Sequence, residues 1–296
     1  MESAGQREIS YTHCDFDVSM ACLLRMSGQT VPEGGEPVEL ASAAQQVLNF
    51  VRLSERLKCE LRHSWLSSGR RESVAEHSWQ MALMAMLVSS RLACPIDVCR
   101  VLKMILVHDL VEAETGDVPF TEVSRRKELK TAHERAAISH IRSLLDPALG
   151  NEIYSLWMEY EEAITNEAKL AKALDNLEVQ IQHNLASLKT WDPEEYLLVY
   201  TKMDRYCAHD PFLLTLCETV RADAERKWSE AGVDPDAVRA NVAAGSVSAV
   251  AEALPSSVAT SQKGRRPRQR PGRLSQGQAP LFSQTEVPDD RQKAMR

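Results

Sequence analysis

Hydrophobic residues recur at helical spacing from about residue 41 to residue 228 of the chain, and we find no run with convincing strand alternation. The first helical segment, ASAAQQVLNFVRLSERLK, carries apolar residues three and four positions apart. Side chains at that spacing share one face of a helix. The apolar face of this first segment consists of Ala44, Val47, Leu48 and Val51.

The next helix follows a loop with the sequence CELRHSWLSSGRRE. Ser73 and Glu76 have the spacing of a capping box, which predicts that this helix begins at about Val74. Beyond Trp79 the segment is apolar nearly all round, so we expect it at the centre of the fold.

A further helix is predicted to start near Pro95, because proline suits the first turn of a helix. It should run through His108 to about Glu114 and stop at Gly116, a natural left-handed helix end. The remaining pattern predicts helices over 121–145, 148–162, 166–190, 191–203 and 211–228.

The chain is therefore predicted to be all-α, with one domain over residues 40–232. Residues 1–39 show no sustained periodicity, and the segment VPEGGEPVE has the composition of a linker. Residues 233–296 turn to alanine, serine, valine and glycine and then to the basic run KGRRPRQRPGR. Segments with few large apolar groups cannot offset their own ordering entropy, so we expect both extensions to be disordered.

Composition narrows the class of protein. The 296 residues are 44% hydrophobic and 26% charged, which suits a globular domain. No apolar run approaches the length needed to span a bilayer, and no signal or transit peptide is evident, so a cytoplasmic location is predicted. The net charge of −7 disfavours broad binding to nucleic acid, except through the basic tail. The seven cysteines include no Cys-x-x-Cys pair, which argues against a thiolate zinc site.

Ionisable residues interrupt the most apolar helices. His77 lies in the central helix, His108 and Asp109 lie side by side in the next, and Asp175 lies in LAKALDNLEVQI. Burial of unpaired ionisable groups is costly, and two histidines with two carboxylates are a normal set of ligands for a divalent transition metal. A single histidine is more often an ordinary core residue, and Asp175 could instead pair with Lys172. The metal hypothesis therefore rests on the occurrence of all four residues together in the most apolar helices.

Three further positions fit a substrate beside such an ion. Glu112 lies one turn beyond His108, where a carboxylate can move a proton, although a surface acid has the same spacing. Asp117 follows Gly116 and could face the same cleft or be an ordinary turn residue. An arginine in the preceding loop could bind phosphate oxygens bidentately. By spacing alone Arg62, Arg70 and Arg71 all compete for that role.

The segments ESVAEHSWQMALMAMLV, ILVHDLVEAETGD and AKALDNLE together resemble the HD-domain metal-dependent phosphohydrolases, and among them the 5′-deoxynucleotidases. The resemblance covers about residues 45–205 and includes the whole ordered pattern H…HD…E…GD…D. It implies an HD-domain helical bundle that hydrolyses a nucleoside 5′-monophosphate to nucleoside and phosphate, usually as a homodimer. It also implies metal ligation by His77, His108, Asp109 and Asp175.

The same resemblance assigns the other site residues. Glu112 matches the catalytic carboxylate, Asp117 the closing substrate-site acid, and Arg62 the arginine that meets the substrate phosphate. Bacterial members place a tryptophan directly after that arginine to exclude the ribose 2′-hydroxyl, whereas this chain has His63 there and Trp65 two residues on. Because other branches use Arg-x-x-Trp, Trp65 is the candidate for that role, and deoxyribose and ribose substrates both stay open.

Several alternatives remain at this stage. The ion could be cobalt, manganese, zinc, iron or magnesium, since two imidazoles and two carboxylates satisfy all of them. The substrate could be another nucleotide, such as a dNTP or an alarmone. The protein could also be a non-catalytic, metal-bound nucleotide-binding scaffold. The basic tail permits an arm that binds nucleic acid or a partner, beside the plainer interpretation of a solvated tail.

Overall fold

In the computed structural model the described residues are 37–120 and 122–244, together with 247, 250, 254, 255 and 258. The chain divides into a unit that ends at Ala259 and a second unit over residues 260–296. The second unit lies outside the described residues, as do residues 1–36, so the predicted disorder of the two extensions falls almost entirely there.

The all-α prediction is confirmed, with one small addition. Thirteen α-helices occur among the described residues, and two short 3₁₀ turns, Ser89–Arg91 and Leu188–Thr190, join some of them. In chain order the helices are α1 (Pro37–Ser54), α2 (Arg56–Cys59), α3 (Val74–Val88), α4 (Val98–Val107), α5 (Glu112–Thr115), α6 (Arg125–Glu128), α7 (Lys130–Ser143), α8 (Pro147–Glu162), α9 (Asn166–Leu185), α10 (Pro193–Thr201), α11 (Met203–Cys207), α12 (Pro211–Glu230) and α13 (Pro235–Ala243).

Helix α9 is the centre of the fold. It packs against α3, α4, α8, α11 and α12 and against the first strand. Its alanines and leucines are buried along most of its length. Helix α3 lies against α4 and α9 and buries Met81, Ala85 and Val88 at spacings of four and three. Its opposite side, which includes Trp79 and Leu87, is exposed, so this helix is buried on one side rather than all round.

The segment predicted as a loop between α2 and α3 contains an antiparallel hairpin of strands β1 (Leu61–Trp65) and β2 (Arg71–Ser73). Alternation of apolar and polar residues over so few, mostly polar positions is too weak to indicate strands. A residue far away in the sequence supports the hairpin instead. The side chain of Gln182 on α9 donates to the carbonyl of Trp65.

Side chains cap the first turns of several helices. Ser73 and Glu76 form the predicted capping box at the start of α3. Aspartate–proline pairs begin four other helices, because aspartate accepts from the first free amides and proline needs no hydrogen bond there. These pairs are Asp146–Pro147, Asp192–Pro193, Asp210–Pro211 and Asp234–Pro235.

The last of these pairs begins a helix that lies beyond the predicted domain boundary at residue 232. Helix α13 follows it and packs on α10 and α12, with Val238 buried between them. Arg239 on the same helix contacts Glu225 at 2.8 Å. The described helices therefore extend beyond residue 232, with Val233 and Val238 buried and the first turn of α13 capped by Asp234. The domain boundary and the disorder of the rest of the tail stay predictions.

The other predicted helices are present with changed ends. The helix predicted over 121–145 is divided at Leu129 into α6 and α7, and the one predicted over 191–203 is divided at Lys202 into α10 and α11. The predicted apolar face of α1 is exposed at Val47, Leu48 and Val51, so it does not belong to the core of this chain. None of the described helices has the length and apolar content to cross a bilayer.

Candidate functional site

His108 and Asp109 lie in a tight turn and not within the long helix that the sequence predicted. Helix α4 ends at Val107, and α5 begins only at Glu112. Between them, amides bond to carbonyls three residues earlier, as in Leu110 to Val107 at 3.1 Å. Such short turns tighten the backbone and are common at functional sites. This turn brings both side chains toward α9.

The four predicted metal ligands converge, although they come from three separate parts of the chain. His108 Nε2 lies 3.0 Å from Asp109 Oδ2, and His77 Nε2 lies 3.3 Å from Asp175 Oδ1. The two imidazole rings are 5.4 Å apart between centroids. Helix α3 supplies His77, the turn after α4 supplies His108 and Asp109, and α9 supplies Asp175.

The donor atoms fit a divalent ion. The Nδ1 atom of His108 donates to the carbonyl of Ile105 at 2.7 Å, and the Nδ1 atom of His77 hydrogen-bonds the carboxylate of Glu178. These bonds leave both Nε2 atoms as the free ring nitrogens. Both are buried, have no hydrogen-bond partner within the described part of the chain, and face the carboxylates. Histidine ligands of metals characteristically have their second nitrogen fixed in this way.

The sequence did not single out the residues that orient these ligands. Glu178, fully buried, lies one helical turn after Asp175 and holds the His77 ring. Tyr160 donates to Asp175 at 2.9 Å and lies against the ring of His108. A second carboxylate three residues after a candidate ligand, in a buried helix, was the available signal for Glu178. Lys172, the alternative partner of Asp175, pairs instead with Glu161 at 2.9 Å.

The two carboxylate ligands are ionised. Burial by itself would raise their pKa values, but the neighbouring histidines and Arg62 outweigh it. His108 and Arg62 lower the pKa of Asp109, and His77 lowers that of Asp175. Ionised carboxylates are the form that binds a metal ion.

Glu112 has the opposite tendency. Burial, followed by the negative charges of Asp109 and Asp117, raises its pKa well above the usual value. One of its carboxylate oxygens is buried without a hydrogen-bond partner among the described residues. A carboxyl group in these surroundings retains a proton that it can give to a reacting group.

A cavity opens above this centre, and most of the predicted substrate residues line it. Arg62, Asp109, Glu112, Asp117 and Asp175 all lie on its wall. Arg62 Nη1 donates to Asp109 at 3.0 Å, so its guanidinium already faces the ligand set.

The rival arginines are used elsewhere. Arg70 pairs with Glu76 at the protein surface, and Arg71 lies beside the ring of Trp65 at 5.8 Å. The structure therefore favours Arg62 as the arginine of the cavity.

Gly116 explains how Asp117 reaches that wall. Its φ of +71° is one that other residues rarely adopt, and a Cβ there would lie 3.1 Å from Arg126. The amide of Asp117 then donates to Glu60 at 3.0 Å, which anchors the loop.

Trp65 is not among the residues that line the cavity, whereas His63 is. The predicted role of Trp65 in contacting the sugar therefore has no support in the geometry. His63 Nε2 lies 3.1 Å from Asp192 and 3.2 Å from Glu195. Hydrogen bonds to these two carboxylates raise the pKa of His63 to about 9. A charged imidazole thus occupies the position next to Arg62.

Comparison with known proteins identifies the family. The model of the HD domain family matches residues 54–209. The chain belongs to the HD domain family. The four predicted metal ligands, Glu112 and Asp117 all lie within the matched residues. The resemblance inferred from the sequence is confirmed.

Several relatives that carry an enzyme name are similar to part of the chain. The 5′-deoxynucleotidase HDDC2 of Xenopus laevis is 38% identical over 48% of this chain and 70% of its own length. The enzyme of the same name from Danio rerio is 40% identical over 46% of this chain and 67% of its own. The 5′-deoxynucleotidase hdd1 of Schizosaccharomyces pombe is 28% identical over 64% of this chain and 96% of its own.

A solved structure shares the fold. A crystal structure from Magnetospirillum magnetotacticum MS-1, named "Predicted metal-dependent phosphohydrolase", superposes with a TM-score of 0.51. It is 30% identical and covers 63% of this chain and 94% of its own. This likeness supports the helical architecture of the chain.

Proposed function

We propose that this protein is a metal-dependent 5′-nucleotidase that hydrolyses deoxynucleoside 5′-monophosphates to deoxynucleosides and phosphate. One observation carries the proposal: two orphaned imidazole Nε2 atoms and two ionised carboxylates converge at the base of a cavity whose wall holds Arg62 and Glu112. Relatives named 5′-deoxynucleotidases are 38–40% identical to nearly half of the chain. They favour the monophosphate over a dNTP or an alarmone, and an enzyme over a scaffold.

His77, His108, Asp109 and Asp175 would hold the ion. When bound, a divalent ion supplies polarisation of a phosphate oxygen and a bound water of lowered pKa. Arg62 offsets the phosphate charge and orients the group by paired hydrogen bonds. Phosphate release measured with each ion in turn would distinguish among cobalt, manganese, zinc, iron and magnesium.

Glu112 completes the reaction. Its protonated carboxyl group donates to the 5′-oxygen as the bond from that oxygen to phosphorus breaks, and water supplies the oxygen of the released phosphate. Asp117 lies on the same wall of the cavity. Proton transfer by a positioned carboxyl group typically contributes about 10²–10⁴-fold to the rate.

The decisive experiment measures phosphate release from dNMPs, NMPs and dNTPs. Metal-stripped protein is supplied separately with cobalt, manganese, zinc, iron or magnesium, and Asp109→Ala is the control. We expect metal-dependent release from dNMPs that is lost in Asp109→Ala. Release from NMPs at the same rate would remove the sugar preference and keep the chemistry. Binding of dNMPs without any release would contradict the enzyme and favour a scaffold.

We further propose that the protein acts as a homodimer in the cytoplasm. Val47, Leu48 and Val51 share one exposed face of α1, and a second copy would bury them. We expect Val47→Glu/Val51→Glu to reduce the mass measured by light scattering from that of two chains to that of one. Asn49→Glu, on the opposite face of α1, is the matched control. A single-chain mass for the unchanged protein would contradict the dimer.

A further inference from the structure

A second group of charged residues lines the cavity beside the metal-ligand cluster. Lys127 and Lys130 come from α6 and the start of α7, and Lys202 lies at the break between α10 and α11. Phe120 lies among them, in the loop that follows Asp117. Two segments far apart in the sequence, one with Lys127 and Lys130 and one with Lys202, thus bring positive charge to one part of the wall.

Two of these lysines lack a carboxylate partner. Lys130 pairs with Glu134 at 3.2 Å. Lys127 instead donates to the carbonyl of Pro119 at 3.2 Å, and neither Lys127 nor Lys202 has an ion pair within the described residues. Half-buried ammonium groups without a counter-charge are unfavourable, and a bound anion would relieve them.

The pKa values of Lys127 and Lys202 also indicate that too little negative charge lies near these two lysines. Burial lowers the pKa of Lys202, and the positive charges of Arg62 and Lys127 lower it further, against an opposing contribution from Asp175. Burial and Lys130 likewise lower the pKa of Lys127. Two of the carboxylates that line the cavity, Asp109 and Asp175, belong to the metal-ligand cluster, and a bound ion would use their charge.

Phe120 joins the two lysines. Its ring centroid is 5.6 Å from Lys127 Nζ and 5.0 Å from Lys202 Nζ. The ring is 61% exposed although it lies at the cavity. An open aromatic ring offers a surface on which a nucleobase can stack. Aromatic stacking next to unpaired cations is the combination that binds a base together with a neighbouring phosphate.

A nucleoside 5′-monophosphate has one phosphate, and in the proposed function the metal ion and Arg62 use it. Lys127 and Lys202 then have no anion to bind. Resting on that function, we propose that Phe120, Lys127 and Lys202 form a second-phosphate subsite, which takes nucleoside 5′-phosphates bearing a further phosphate on the 3′-oxygen. That phosphate could be the monoester of a nucleoside 3′,5′-bisphosphate or the diester of a 5′-phosphorylated dinucleotide.

The reaction of such a substrate is the same hydrolysis. The bond from phosphorus to the 5′-oxygen breaks, and the oxygen of water forms the new bond to phosphorus. Glu112 gives its proton to the 5′-oxygen, and a proton of the water replaces it on Glu112. The products are phosphate and a nucleoside that retains its 3′-phosphate. Two ammonium groups match the two charges of a phosphate monoester, so the bisphosphate should be the better of the two substrates.

The test compares kcat/KM for a dNMP, the matching 3′,5′-bisphosphate and the 5′-phosphorylated dinucleotide. We expect the unchanged protein to prefer the bisphosphate over the dNMP by about tenfold or more. Lys127→Met/Lys202→Met should remove that preference while dNMP turnover stays within about twofold. Lys103→Met, whose lysine pairs with Glu152 outside the cavity, is the matched control. A dinucleotide preferred over the bisphosphate would assign the subsite to a diester.

Binding of the bisphosphate to metal-loaded protein, measured by calorimetry, separates this proposal from the proposed function. Tight binding that the double variant weakens at least tenfold, without turnover of any 5′-phosphate, would support the subsite and contradict the nucleotidase. Equal binding by the two proteins, or an equal loss of dNMP and bisphosphate turnover in the variant, would overturn the subsite.

Discussion

At the scale of single residues, the candidate site divides ionisable groups by the proton each one holds. Asp109 and Asp175 have lowered pKa values because histidines and Arg62 outweigh burial, whereas Glu112 has a raised one because burial acts together with like charges. Two kinds of carboxyl group within one cavity supply a ligand set and a proton donor. Pairs of acids whose surroundings move their pKa values in opposite directions are typical of acid–base sites.

Glu112→Gln keeps the size of the side chain and removes its transferable proton. We expect kcat for a dNMP to fall about 10²–10⁴-fold while the bound metal stays the same, because Glu112 is not one of the ligands. Steady-state kinetics and metal analysis of the purified variant check this. Glu114→Gln, on the same short helix and hydrogen-bonded to His140, is the control. Unchanged turnover in Glu112→Gln would remove its catalytic role.

Glu178→Gln tests how the His77 ring is positioned. The Glu178 carboxylate holds the Nδ1 proton of His77 and so directs Nε2 at the ligand cluster. Loss of such a supporting carboxylate typically weakens metal affinity about 10–100-fold. We expect a competition titration with a chelator to show this loss of metal affinity in Glu178→Gln. Excess metal should restore the turnover of the variant. Glu167→Gln is the comparison, because Glu167 lies on the same helix but accepts from the amide of Asp97 and not from His77. Equal affinities in both variants would contradict the positioning role.

At the scale of elements, strand β1 is tied to helix α10 by the ion pairs of His63 with Asp192 and Glu195. Both carboxylates also take part in the capping box of α10, so the same groups begin the helix and hold the strand. His183 on α9 adds another imidazole, 3.7 Å from Glu195. The contact fixes the strand that carries Arg62, which makes it part of the architecture of the cavity.

This contact predicts a pH-dependent contribution to stability. The pKa of His63 is raised from 6.5 to about 9, so its stabilisation is fully present below pH 6.5 and disappears as pH rises through 9. One pKa unit corresponds to about 1.4 kcal/mol, which allows up to about 3 kcal/mol in all. Urea unfolding of the unchanged protein and of His63→Gln should give a difference in free energy that shrinks from pH 6 to pH 10.

The exposed His133 provides the control, as His133→Gln should differ little from the unchanged protein at every pH. A difference between the unchanged protein and His63→Gln that grows toward pH 10 would show that the ion pairs are not what His63 contributes.

At the scale of the whole molecule, the parts that the sequence predicted are those encoded locally. Ser73 and Glu76 lie three residues apart, and the helices and the order H…HD…E…GD…D can be recognised along the chain. The β-hairpin could not be predicted, because it depends on Gln182, more than a hundred residues away. Helix α13 could have been predicted from Asp234 and Pro235, a signal that the low-complexity composition after it outweighed.

The cavity wall shows the same limit. His63 and Trp65 lie two positions apart, and only the packing of β1 on α9 and α10 decides which of them faces the substrate. Lys127 and Lys202 meet around Phe120 although 75 residues separate them in the chain (127 to 202). Convergence of this kind is a property of the tertiary fold, so the candidate second-phosphate subsite had no signal in the sequence.

The metal centre also joins the molecule together, which leads to a prediction about its stability. The ligands come from α3, from the turn after α4 and from the central helix α9, so an ion bound there would link three segments that unfolding separates. A ligand present at 100 times its dissociation constant stabilises the folded state by about 2.7 kcal/mol. For a domain of this size that amount corresponds to a rise in Tm of about 5–10 °C.

Metal-stripped protein titrated with each candidate ion should show this rise in calorimetry, and Asp175→Asn should lose most of it. The substitution removes one ligand charge and keeps the volume next to Tyr160. Asp236→Asn, on the exposed side of α13, should keep the full rise and so controls for loosely bound ions. Binding of the ion to histidines of the unfolded chain would reduce the rise in Tm without abolishing it. An equal rise in Tm in both variants would mean that the ion binds elsewhere in the molecule.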